Sequence, residues 1–388
     1  MKKRMTILLA LLLALSVLIA GCAKKDDAKS DSKKEDQAKV EESSEKAADT
    51  KDDTAKEDTA TEKTEADKSE ETDAEPAEET EPAADSESSG KKKVAIVLPV
   101  DHLALNAARD AMIEVISAEF GKDNVEFVVK NANGDDSLLN SIFSEVAGSD
   151  PDIILPIATG PSQVAVTTVK GKIPIVFSCV TDPVEAGLTP SWEESGDNVT
   201  GVSDMADIES IIDFALQLYP ETKTVGIVYN SAEVNSQVQA ELCKGILDEK
   251  GLEYKEGTIT NTSELQQVVE NLAVDVDIFY SPTDNDVASA MPAFQQVANK
   301  HNLPIFPGAS TMVESGGTGT VGLDYYDLGL QAGEMVVRIL NGESVADNPP
   351  ETVEKVTMIL NEDQVEALGI VVPADLEGEV EYVATAQE

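Results

Sequence analysis

The strongest constraint on the fold lies between Asp152 and Pro183. Two apolar runs, Ile153–Ile157 and Ile173–Phe177, are each too short for a buried helix and are stopped by small polar residues. Such runs read as parallel strands buried on both faces. Between them Ser162–Lys170 is long enough for one crossover helix, which parallel neighbours require. After the two strands come Ala158-Thr159-Gly160-Pro161-Ser162 and Ser178-Cys179-Val180-Thr181-Asp182. In open α/β sheets, ligands bind beyond the carboxyl ends of the strands, where hydroxyls and free helix N–H groups converge. The stretch therefore reads as one wall of a small-molecule site. Helix-capping turns would use the same residue types, so the decision rests on whether the pattern recurs.

It does recur. Strands are expected at Val94–Leu98, Val125–Val129, Thr224–Tyr229, Glu253–Thr258, Ile278–Tyr280, Pro304–Phe306 and Thr320–Leu323. Helices are expected at Leu103–Phe120, Ser137–Val146, Ile208–Leu218, Val234–Lys250, Ser263–Leu272, Asp286–Lys300 and Tyr325–Leu340, the last stopped by Asn341-Gly342. This alternation is the signature of α/β layers. Residues 91–388 exceed one ordinary core, and the series starts again after Tyr219-Pro220, so two similar Rossmann-like lobes with a cleft between them are expected. Strand ends carry the same kind of polar residue throughout: Asp101-His102, Asn131 and Asn133, Thr159, Ser178, Asn230, Asn235-Ser236, Thr283-Asp284-Asn285 and Asp324.

The N-terminus is of another kind. Lys2, Lys3 and Arg4 precede an apolar run, Ile7–Ala20, too short to span a bilayer comfortably, as in a secretory signal. Leu18-Ile19-Ala20-Gly21-Cys22 then resembles a bacterial lipobox, which implies cleavage after Gly21 and lipidation of Cys22. From Ala23 to Gly90 there are 25 acids against 11 lysines and one large apolar residue, Val40. Such a composition cannot offset its ordering entropy and reads as a disordered acidic linker. Residues 91–388 hold 49 acids against 15 bases. That balance excludes nucleic acid as a partner, since neutralising phosphates needs basic patches.

Taken together, several motifs resemble one family. They are Val100-Asp101-His102 with Ala108-Arg109, Val180-Thr181-Asp182-Pro183, Asn198 through Ser203, Tyr229-Asn230 with Glu233 and Asn235-Ser236, Pro282-Thr283-Asp284-Asn285, and Asp324 through Gly329. In this order and spacing they resemble the ABC-transporter substrate-binding family whose characterised members bind tryptophan, phenylalanine or tyrosine. The likeness covers nearly all of residues 91–345 and departs at Asn106 and Pro161. It implies the type I periplasmic-binding-protein fold, with residues 91–203 and about 324–343 in one lobe and 204–323 and about 344–388 in the other. It also implies a monomer, anchored by lipid on the outer face of the cell membrane, that serves a permease and an ATPase. The same features would suit a lipoprotein that senses a ligand and reports to a membrane receptor.

An enzyme reading lacks a catalytic group. His102 and His301 are the only histidines, no Cys/His spacing suggests zinc, and no Gly-rich phosphate loop follows a strand. Cys179 and Cys243 would suit a two-thiol racemase only if both faced the cleft, and Cys243 lies mid-helix. The expected activity is therefore binding, without cofactor or metal. For an amino acid, Thr159, Ser162, Ser178 and Thr181 suit the carboxylate, and Asp284 or Asp324 the ammonium. His102, Val180, Asn235, Ser236 and Asn285 complete the expected ligand-binding set. Phe177, Trp192, Tyr280 and Tyr325 are the candidate stacking partners.

Overall fold

A computed structural model of the chain describes residues 90–386, Lys172 aside. The signal, Cys22 and the acidic linker lie outside the described residues.

The chain opens with β1 (Lys92–Leu98), α1 (Leu103–Phe120), β2 (Val125–Asn131), α2 (Leu139–Gly148), β3 (Ile153–Pro156), α3 (Thr159–Val169), β4 (Ile175–Ser178) and β5 (Val199–Ser203). α4 (Ile208–Leu218) leads to β6 (Thr224–Asn230), α5 (Val234–Lys250), β7 (Glu253–Ile259), α6 (Leu265–Leu272) and β8 (Ile278–Ser281). After α7 (Asn285–Ser289) and α8 (Met291–Lys300) come β9 (Ile305–Pro307), α9 (Ser310–Glu314), β10 (Gly319–Leu323) and α10 (Tyr325–Leu340). The chain closes with β11 (Glu351–Thr352), β12 (Val356–Asn361), α11 (Glu362–Leu368) and β13 (Val380–Val383).

These strands build two parallel sheets of matching order. The first lobe is ordered β2-β1-β3-β4-β5-β11 and the second β7-β6-β8-β9, so each half pairs its second strand with its first and then runs on outward. A smaller sheet, β10-β12-β13, pairs β10 and β12 antiparallel. Alternation along β1 explains its burial on both faces. Val94, Ile96 and Leu98 pack with Met112 of α1 and Met335 of α10, whereas Ala95 and Val97 join Phe143 of α2 and Ala165 of α3. In the second lobe Val225 and Ile227 meet Phe214 of α4 and Cys243 of α5, while Val228 faces the other side with Leu265 and Phe294.

The sequence reading assigns no element at α9, β12, α11 or β13, and three further differences bear on the lobes. The helix expected over Asp286–Lys300 is two, broken at Ala290, which turns the chain so that Pro292 can enter the first turn of α8. Val199–Ser203 is a buried strand, held close by Gly201, where a Cβ would sit 2.1 Å from the Phe177 carbonyl oxygen. Not all of the stretch after Ser344 joins the second lobe, since β11 adds to the six-stranded sheet beside β5.

Candidate functional site

In each sheet the strand order reverses beside its first strand, and the loops at those reversals face each other. The first lobe contributes His102 after β1, Cys179 and Thr181 after β4, and Asp204 after β5. The second contributes Asn235 at the start of α5, Thr283 and Asp284 after β8, Asn285 at the start of α7, and Thr311 and Met312 from α9. With Tyr325 at the start of α10 they line a small cavity between the lobes.

Asp204 is 5% exposed. Its Oδ1 accepts from the Thr181 hydroxyl at 3.2 Å and its Oδ2 from the Tyr325 hydroxyl at 3.0 Å. A carboxylate offers about four acceptor sites, so half its capacity is unused by these side chains. Burial pushes its carboxyl up to about 6, against the two hydroxyls that favour the charged form. Burial, and after it the Asp204 charge, drive the neighbouring Cys179 thiol well up. On the facing lobe, Asp284 is 1% exposed and accepts three hydrogen bonds. It takes the Asn230 N–H at 2.6 Å, the Ser236 hydroxyl at 2.7 Å and, as the cap of α7, the Val287 N–H at 2.8 Å. Burial raises its carboxyl, and the same holds for Glu233, where Asp284 adds a like charge behind it.

Hydrogen bonds cross between the lobes. The Thr181 and Thr283 hydroxyls meet at 3.2 Å, and Gln239 donates to both. His102 Nε2 lies 3.3 Å from Asn285 Oδ1, and burial pushes this imidazole down to about 4. The described lobes are therefore closed on each other.

Of the residues expected to bind ligand, His102, Thr181, Asn235, Asp284 and Asn285 line the cavity, and Ser236 stands behind Asp284. The others do not line it. Val180 packs in the first-lobe core, and Ser162 spends its hydroxyl on the Ala158 carbonyl at 2.7 Å. Thr159 and Ser178 bury hydroxyls that have no hydrogen-bond partner in the protein. Asp324 is exposed and caps α10 through the Tyr326 N–H at 2.7 Å. Of the four stacking candidates only Tyr325 reaches the cavity, Phe177 and Tyr280 being core residues. Both described cysteines are free and buried, with Cys243 in the second-lobe core. The sequence reading missed Asp204. The signal that could have found it is the strand-end rule applied once more, to Val199–Ser203.

Two parallel sheets of matching topology, closed over a polar cavity at their switch points, define a two-lobed solute-binding protein of the type I periplasmic-binding-protein fold. The chain belongs to the ABC transporter substrate binding protein family, whose pattern matches residues 93–383. It is 35% identical over 285 residues to the tyrosine-binding protein of Clostridioides difficile (strain R20291), an alignment covering 73% of this chain and 82% of the relative. Among solved structures it resembles an ABC domain from Streptococcus pneumonia in complex with L-Trp, with TM-score 0.73 at 29% identity, covering 76% of this chain and all of that one. It also resembles the ligand-free, open structure of a substrate binding protein with adhesive properties from Clostridium difficile. There the TM-score is 0.60 at 36% identity, again over 76% of this chain and 100% of that one. The better fit to the complex, despite lower identity, agrees with the closed lobes seen here.

Proposed function

We propose that the protein captures an aromatic amino acid between its lobes and delivers it to the permease and ATPase of an ABC importer. The observation that carries this reading is Asp204, a buried acid on the cavity wall with acceptor capacity to spare. An ammonium group is the partner that such a carboxylate calls for. The Thr311 hydroxyl on the same wall suits the α-carboxylate, which shares a carbon with the ammonium, and Leu105, Ala288, Ala309 and Met312 supply an apolar surface for a ring. The tyrosine-binding relative and the L-Trp complex support the aromatic class. Asp204 replaces Asp324 as our ammonium partner, because Asp324 is exposed and occupied with its helix. Asp284 is a supporting acid whose oxygens are committed to the second lobe.

We further assign Cys22 as the lipidated attachment that holds the protein on the outer side of the membrane. Among the described residues no helix is long and apolar enough to cross a membrane.

Calorimetric titration with tyrosine, tryptophan and phenylalanine tests the reading. At least one should bind, and Asp204→Asn should weaken it roughly thirtyfold to a few thousandfold, the effect of leaving a buried ammonium unpaired, about 2–5 kcal/mol. Asp324→Asn should change affinity by less than twofold. Equal affinity for wild type and Asp204→Asn would remove the amino-acid assignment.

A further inference from the structure

Asn285 lines two spaces at once: the inner cavity and an outer groove of about 1260 Å³ bordered by Asn133, Gly160, Glu233 and Thr260. Its hydrogen bond to His102 crosses between the lobes at that boundary. What aims Asn285 is Glu233, whose carboxylate takes the Asn285 backbone N–H at 3.2 Å, its side-chain Nδ2 at 2.6 Å and the Asp286 N–H at 3.2 Å. With Nδ2 turned to Glu233, the amide presents its oxygen to His102. Glu233 shares the capping of α7 with Asp284, which accepts the Val287 N–H, but its bond to Asn285 Nδ2 goes beyond capping. Glu233 does not line the inner cavity, so it makes no contact there with a ligand. A second carboxylate set beside Asp284 is electrostatically unfavourable: burial, and then the Asp284 charge, raise the Glu233 carboxyl. Its bond to the Asn285 side chain, which capping does not require, fixes how that amide is turned.

We propose that Glu233, Asn285 and His102 form a latch between the lobes that sets how fast ligand leaves, with Glu233 as the positioning residue. The proposal rests on the reading of the cavity as a solute site and adds to it the group that holds the site shut. Glu233, which does not line the inner cavity, acts on residence time through Asn285.

Stopped-flow release of tyrosine, with wild type and variants compared at one pH, is the test. His102→Ala and Asn285→Ala should each speed release about threefold to tenfold, the effect of one hydrogen bond. The double variant should release no faster than the faster single one, because each residue acts through the other. Glu233→Gln should speed release in the wild-type background and add nothing in the Asn285→Ala background. A purely structural role for Glu233 would instead give the same change in both backgrounds and a matching loss of melting temperature. Unchanged release, or effects that multiply, overturns the latch while leaving tyrosine binding intact. If wild type binds no aromatic amino acid, the functional reading fails on its own, and X-ray scattering of the ligand-free proteins then decides. The His102→Ala/Asn285→Ala variant should have the larger radius of gyration, and equal radii overturn the latch.

Discussion

A buried acid raised to about 6 makes Asp204 a titrating group in the working range. Because its folded value lies above the ordinary carboxylate range, it favours the folded state fully only below about pH 4, and that contribution is lost as pH rises through 6. An ammonium ligand reverses the preference, since it pairs with the charged form. Affinity should therefore rise with pH through about 6 and fall toward tenfold per unit below it, measured by titration at pH 5.0 and 7.5. His102 pulls the same way, because closure holds it near 4 and acid protonates it when the lobes part. In Asp204→Asn the slope should shrink to the share due to His102. Backbone strain sits beside the same site. Ala158 has φ 79 and ψ 163, a region that glycine alone visits freely. Ala158→Gly should raise stability by about 1 kcal/mol in urea unfolding, the relief of strain exceeding the glycine entropy cost. At this scale the sequence was half legible. Polar strand-end residues marked the site, but a helix cap such as Asp324 and a cavity-lining acid such as Asp204 look alike until burial separates them.

Elements were far more legible than residues. α1, α4, α5 and α10 span the very residues that the sequence reading assigns; α1, α4 and α10 each carry an apolar stripe, and α1 and α5 have a clear end in Gly121 and Gly251. What periodicity could not show is close contact between helices. Gly329 on α10 lies so near α1 that an added Cβ would stand 2.4 Å from the Ala108 carbonyl oxygen. Gly329→Ala should therefore cost about 1–3 kcal/mol in urea unfolding, with ligand affinity of the folded fraction unchanged. The short strands were also hidden. Val199–Ser203 mixes Thr and Gly into its run, and Glu351–Thr352 is two residues long, held by register with Val202 and Ser203 and by no pattern of its own.

For the whole molecule, every cavity residue lies between His102 and Tyr325. A chain beginning at Gly90 should therefore bind with the affinity of the full-length protein, and a loss in calorimetry would give the N-terminal segment a part in the site. The connection between the halves has another consequence, in the order of folding. The four-stranded sheet is complete within Thr224–Pro307, from one continuous stretch. The six-stranded sheet is not, for α1 waits for α10 and β5 waits for β11; Tyr326 bonds Glu114 across 212 residues. Contacts that distant form late, because the loop between them must first be closed. The half made second should thus be finished first, and in pulse-labelled refolding the amides of β6, β8 and β9 should gain protection before those of β1 and β4. Until residue 340 has been made, the face that α1 shares with α10 is only partly covered, and until residue 352 the edge of β5 stays unpaired.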